Sequence, residues 1–301
     1  MRIGIFSGST NDGTLDQLVA EAKSAAEAGF ASFWVSQIFG HDALTALAVI
    51  GREVPLIELG TAVVPTYPRH PVMLAQQALT VNAAAGGRLA LGIGLSHQVV
   101  IDSILGMSYD KPVRHLREYL SVLMPLLEGT PVSFDGDDFR VHAGISVPGG
   151  SRPGVFVAAL GEQTLRVAAT LADGTITWCT GPETLRSHTI PTLRAAAEAA
   201  GRPDQRVISA LPVCVTDDRA SALGRAAGIF KMYGQLPSYR AMLDKEGAAG
   251  PADIAIVGAE AEVGDRIRAL GEIGVTDFSA VEFGGNPDEV AGTRALLKTL
   301  L

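Results

Sequence analysis

The 301-residue chain is poor in the features that would make several classes of protein. It has two cysteines, Cys179 and Cys214, too few for a disulfide framework and a poor start for a cysteine metal site. Charged residues make up only 19% of it and aromatic residues 6%. With 47% hydrophobic residues that composition supports a large core and speaks against disorder. Basic residues are in deficit: the formal net charge is −8, which disfavours a phosphate-backbone partner and so nucleic acid. No apolar run approaches a membrane span without a charge in it. The opening Met1-Arg2-Ile3-Gly4-Ile5-Phe6-Ser7-Gly8 turns polar too early for a signal peptide, so a reducing cytoplasm is expected.

What the sequence does have is a rhythm. A short apolar or β-branched run is followed by a polar loop, an Ala/Leu-rich amphipathic stretch, and a glycine. Strands are expected at 3–6, 32–35, 57–64, 88–94, 155–159, 174–178, 207–215 and 276–283. Helices are expected at 15–28, 43–50, 72–85, 164–171, 183–200, 219–231 and 288–300. Gly29, Gly87, Gly201 and Gly274 stand where helix gives way to strand, the place for a left-handed cap. Such alternation means parallel strands with crossover helices, and eight units in this length suit one closed (β/α)8 TIM barrel, an α/β fold, over a single domain 1–301. Two stretches interrupt the pattern, 96–153 and 233–255. The first contains a helix at 114–128 and a small hairpin at 132–139; both stretches are expected at the C-terminal mouth of the barrel.

Candidate chemistry is sparse. Gly92-Ile93-Gly94 lacks the third glycine of a dinucleotide fingerprint and reads better as a strand end approached by a backbone or a flat ring. No Ser-His-Asp signature, strand-end Schiff-base lysine or metal-ligand spacing is present, so no metal is expected. Asp137-Asp138 and Asp217-Asp218 read as a turn and a helix start. Lys111, Arg114, His115 and Arg117 form a local basic run, ordinarily a solvated helix face. The segment from Gly60 to Pro71 (GTAVVPTYPRHP) is a strand stopped by prolines, with Pro71 placed to open a helix.

Those residues carry a resemblance. Ala28-Gly29-Phe30 with Phe33-Trp34-Val35, the stretch Leu59 to Pro71, and Gly87 to Gly94 are similar in order and spacing to the luciferase-like monooxygenase superfamily, above all its deazaflavin-dependent members. So are Val157 to Gly161, Ala172-Asp173-Gly174, and Gly258 to Phe278. The resemblance implies an oxidoreductase using coenzyme F-420 on a small organic substrate, as a homodimer. FMN with oxygen in a two-component monooxygenase is the alternative, and a non-catalytic flavin-binding relative is a third. It also implies a cis peptide and bulge at Ala62–Val63 behind the ring, with Ser36, Gln37, Gly94 and Ser96 near it. Ser36-Gln37 departs from the commoner Asp-His pair. Backbone amides of Ala159, Leu160 and Gly161, completed by Thr180 and Gly181, would take the cofactor's phosphate at a helix start. His97 matches a proton-transferring carboxylic acid in one sugar-phosphate-oxidising member and is the candidate catalytic acid or base. Arg69 and His70, with Arg114 and Arg117, are expected as a basic rim for the oligoglutamate tail.

Overall fold

The computed structural model describes residues 1–202 and 205–301. In chain order the elements are β1 (Arg2–Phe6), α1 (Leu15–Glu27), β2 (Ser32–Val35), α2 (Ala43–Glu53), β3 (Glu58–Thr61), β4 (Val64–Pro65) and α3 (Pro71–Ala84). Next come β5 (Leu89–Gly94), α4 (Pro112–Leu127), β6 (Val132–Asp135), β7 (Arg140–Ala143), β8 (Gly154–Val157) and α5 (Glu162–Leu171). Then β9 (Gly174–Trp178) leads into α6 (Pro182–Thr184), which runs through a π-turn (Leu185–Thr189) into α7 (Ile190–Ala199). The chain ends with β10 (Arg206–Val215), α8 (Arg219–Ile229), α9 (Pro237–Glu246), β11 (Ile256–Gly258), α10 (Glu260–Glu272), β12 (Asp277–Glu282) and α11 (Pro287–Thr299). Proline opens α3, α4, α6, α9 and α11, where its missing N–H costs nothing.

Parallel pairing runs β1–β2–β3–β5–β8–β9–β10–β12 and back to β1, a closed eight-stranded barrel ringed by helices, with β4 continuing β3. Alternating side chains divide each strand between the inside and the helix layer. Ile3, Ile5, Phe33, Val35, Leu91 and Val155 go outward into the main core under the helices. Trp34, Ala90, Phe156, Ile176 and Ile208 fill the barrel's waist. Beneath them an ionic layer of Glu58, Arg206 and Asp277 closes the N-terminal end. Gly274, at φ +108, makes the turn into β12 that a side chain would strain.

Several expectations need correcting. The third strand is not continuous over 57–64: it breaks into β3 and β4. The stretch 96–153 is not one mouth insertion, because α4 packs between α3 and α5 as the regular fourth barrel helix. Only its first part, with a π-turn at Val99–Ile104, lies at the mouth. The β6–β7 hairpin starts at the far end of α4 and climbs back along it, so that Glu118 accepts from the N–H groups of Asp137, Asp138 and Phe139. The stretch 233–255 is not a bare loop, since it contains α9. Sequence reading also missed β11, which pairs with the end of β10 where Pro212 separates the partners β9 and β11, and the helix α10 behind it.

Candidate active site

The mouth of the barrel is built around the break in the third strand. Leu59 pairs with Leu89 and Val64 with Ile93, so five steps on one strand face four on its neighbour, which is a bulge. The Ala62–Val63 peptide within it is cis, as the resemblance implies. Across the gap in the ladder the buried Thr61 hydroxyl accepts from the Gly92 N–H at 2.9 Å and donates to the Gly92 carbonyl at 2.8 Å. It thereby replaces the backbone pairing that the bulge removes. The glycines of β5 follow from the same feature. A Cβ at Gly92 would lie 2.0 Å from the Thr61 carbonyl oxygen, and one at Gly94 would lie 2.7 Å from Val63. Backbone approach therefore explains Gly92, and Gly94 makes room for the bulge. Ala62, Val63 and Ala158, with Phe6, are left half-exposed above the filled waist. They form a floor of mostly small apolar side chains at the open end.

Around this floor the anticipated residues divide. Ser36 is buried beside it at the end of β2. The Gln37 side chain turns away to cap α2, accepting from the Ala43 N–H at 2.7 Å. Ser96 takes a positive φ of 59° and reverses the chain after Gly94, presenting His97. That histidine is half-buried, with its ring 5.5 Å from the Tyr239 ring of α9. Burial lowers its pKa below the ordinary 6.5, so the neutral imidazole dominates at pH 7. Among the described residues no hydrogen bond occupies either ring nitrogen, so both remain available to a ligand.

The turn Ala159-Leu160-Gly161 leads into α5, and Gly161 caps that helix without a side chain of its own. Its amides lie at the positive end of a ten-residue helix, the place for an anion. His188 donates from Nε2 to the Leu160 carbonyl at 2.9 Å and fixes the turn. Thr180 and Gly181 follow β9, but the adjacent donors are already committed. Glu246, at the end of α9, accepts from the N–H of Glu183 at 3.1 Å and of Thr184 at 2.7 Å. Its carboxyl carbon would be 2.2 Å from any Cβ at Gly181. The Thr180 hydroxyl donates to the Trp178 carbonyl at 3.3 Å. An internal carboxylate thus stands at this half of the anticipated phosphate site.

Sequence reasoning missed the aromatic arc that closes the other side. Phe6, Trp178, Tyr233, Tyr239 and His97 follow one another with ring centroids 5.4–6.3 Å apart. Trp178 sits at a strand end, a signal that was there to read; Tyr233 and Tyr239 lie in the stretch that has no periodicity. Cys179, buried beneath the arc, has its thiol pKa pushed up by burial and is inert as a nucleophile at neutral pH.

Two of the three arginines of the anticipated basic rim are neutralised by ion pairs. Arg69 pairs with Asp42, and Arg114 forks onto Asp137 at 2.7 Å and Asp138 at 2.6 Å. His70 caps α3 through Nδ1. His115 is buried, stacked on Tyr67 at 3.9 Å and hydrogen-bonded to Thr66 at 3.0 Å. Asp137 and Asp138 do form a turn, and Asp218 caps α8. Among the described residues no three His, Cys, Asp or Glu are grouped as a metal ion requires, and no helix is long and apolar enough to cross a membrane.

Compared with known proteins, residues 1–277 match the sequence pattern of the luciferase-like monooxygenases. The chain is 28% identical to the 5,10-methylenetetrahydromethanopterin reductase of Methanolobus tindarius over 273 residues, covering 89% of this chain and 82% of that protein. Its fold matches the coenzyme F-420-dependent tetrahydromethanopterin reductase of Methanopyrus kandleri, with a TM-score of 0.82 at 20% identity, over 99% and 97% of the two chains. It also matches the oxygenating constituent of 3,6-diketocamphane monooxygenase from Pseudomonas putida, solved with FMN, with a TM-score of 0.77 at 17% identity over 100% and 96%.

Proposed function

The chain belongs to the luciferase-like monooxygenase family, and from that we propose that it is an F-420-dependent oxidoreductase moving a hydride between the deazaflavin and a small organic substrate. The observation that carries the reading is the floor over the barrel's waist. Ala62, Val63 and Ala158 present small, half-exposed apolar side chains beside a strand end with no side chain at Gly94. A flat tricyclic ring fits such a surface, and bulkier residues would block it. The similarity to a methylenetetrahydromethanopterin reductase and the fold shared with a coenzyme F-420-dependent tetrahydromethanopterin reductase favour the deazaflavin.

Bound there, the deazaflavin supplies a hydride donor or acceptor in its central ring. The protein's part is positioning and proton handling. The floor keeps water from one face of the ring, which leaves the other for substrate. His97, at the edge and neutral at pH 7, takes or returns the proton that accompanies hydride transfer. Amides of the Ala159–Gly161 turn receive the phosphate, aided by the α5 dipole. Glu246 holds the neighbouring donors, so Thr180 and Gly181 contribute by shape. The aromatic arc of Trp178, Tyr233 and Tyr239 walls the substrate side and suits an apolar or planar substrate.

A second reading, an FMN monooxygenase supplied by a separate reductase, is favoured by the FMN-bound neighbour. Parallel fluorescence titration with F-420, FMN and FAD separates the two. We expect F-420 to bind more tightly than FMN. Micromolar FMN binding without F-420 binding makes the monooxygenase reading the better one.

A further inference from the structure

At the opposite end of the barrel, away from the mouth, lies a cavity of about 380 Å³ lined by Arg2, Arg88, Arg152 and Arg206 and one carboxylate, Glu58. All stand at or just before the starts of strands, where none can reach the mouth. We propose that this cavity is a binding site for a small multivalent oxyanion of the phosphate or sulfate type, separate from the active site.

The argument is one of charge partners. Arg206 is held by Glu58 at 2.8 Å and by Asp277 at 2.7 Å. Arg2 leans on the same two carboxylates at 3.3 and 3.4 Å, so two cations and two anions are matched there. Arg152 has Asp173 at 2.9 Å and Glu128 at 3.5 Å. Arg88 is different. Its guanidinium donates only to carbonyls, Ile57 at 2.7 Å and Gly51 at 2.9 Å, and among the described residues no carboxylate pairs with it. It is half-buried, and burial lowers its pKa, the mark of a cation lacking a counter-charge. A guanidinium carries five N–H donors, so two carbonyls leave others to spare. An oxyanion in the cavity supplies the missing charge and is met by the N–H groups that Arg88 and Arg152 do not already commit, while the Arg206 fork stays on Glu58 and Asp277. Arg206 is further fixed by stacking over the Phe156 ring at 4.8 Å, which pre-orients one wall. Asp277, almost fully buried beneath, and Glu58 neutralise Arg206 and Arg2, while Glu58 alone of the carboxylates lines the cavity. Glu58 is therefore the residue that opposes an anion.

The experiment is calorimetric titration of inorganic phosphate, then sulfate, into the full-length protein, with sodium chloride at matched ionic strength as control. Saturable binding is expected for both oxyanions and not for chloride. Arg152→Met should weaken it at least about tenfold, the loss of one charge-assisted contact. Glu58→Gln should tighten it several-fold by removing the opposing charge. Arg88→Met should abolish it; because that side chain also ties a carbonyl in the last turn of α2 and another just before β3, the two other variants keep the test decisive if it does not fold. An anion bound at the mouth would be indifferent to all three substitutions. Phosphate affinity unchanged in Arg152→Met and Glu58→Gln, or no binding to the wild type, overturns the proposal.

Discussion

Two histidines show how position sets chemistry. His97 and His115 are both held below the ordinary histidine pKa by burial, yet only His97 faces a place where a ligand can reach it. His97→Ala should lower turnover by about 10²–10⁴-fold while leaving the dissociation constant for F-420 nearly unchanged. Equal losses in both, or no loss, would assign His97 to packing against Tyr239. His115 is lowered further, to about 4, by burial that the nearby Asp138 and Glu118 only partly offset. Its folded form resists the proton that its unfolded form accepts near 6.5. The unfolded chain therefore binds more protons between those values, and stability falls as the pH drops from about 6.5 to 4. Thermal unfolding across that window should show a smaller decline in His115→Gln than in the wild type. Parallel curves would contradict the assignment. The place of His97 at the mouth was legible in the sequence because it lies just past the recognisable strand end Leu89–Gly94. The roles of Gln37 and Arg69 were not, because helix capping and ion pairing with Asp42 depend on neighbours distant in the chain.

Among the elements, the contact between α9 and the start of α6 ties the helix that carries Tyr239 to the turn after β9. Glu246 supplies two acceptors to amides that would otherwise be unsatisfied, and Gly181 leaves the space it needs. Gly181→Ala should destabilise the protein by on the order of 1–3 kcal/mol, because backbone and carboxylate must move apart. In a Glu246→Ala background the same substitution should cost much less. Chemical denaturation of the four proteins measures the coupling, and additive effects would refute the contact. The eight barrel strands were legible because β-branched runs and closing glycines recur. The break between β3 and β4 came only with the family resemblance. β11, three residues long, is too short for any periodic signal. Helix α10 buries Val263, Ile267 and Leu270 at helical spacing, but its acidic first turn and internal glycines dilute the pattern.

For the whole molecule, the two ends of the barrel differ in kind. The N-terminal end is closed by an ion-pair layer, and the C-terminal end offers an apolar floor, an aromatic arc and one neutral histidine. The overall architecture was legible from rhythm alone, since eight strand–helix units of this length leave few alternatives. The walls of the mouth were not, because they are made by Tyr233, Tyr239 and Glu246 from a segment whose sequence has no period. The central claim is that the floor of Ala62, Val63 and Ala158 receives a deazaflavin. The most direct measurement is the pair of dissociation constants for F-420 and FMN in wild type and in Ala158→Trp, whose ring would cover the floor, with circular dichroism confirming the fold. The account predicts tighter binding of F-420 than of FMN in the wild type and loss of F-420 binding in the folded variant. Undiminished F-420 binding in Ala158→Trp, or FMN binding with none of F-420, would contradict it.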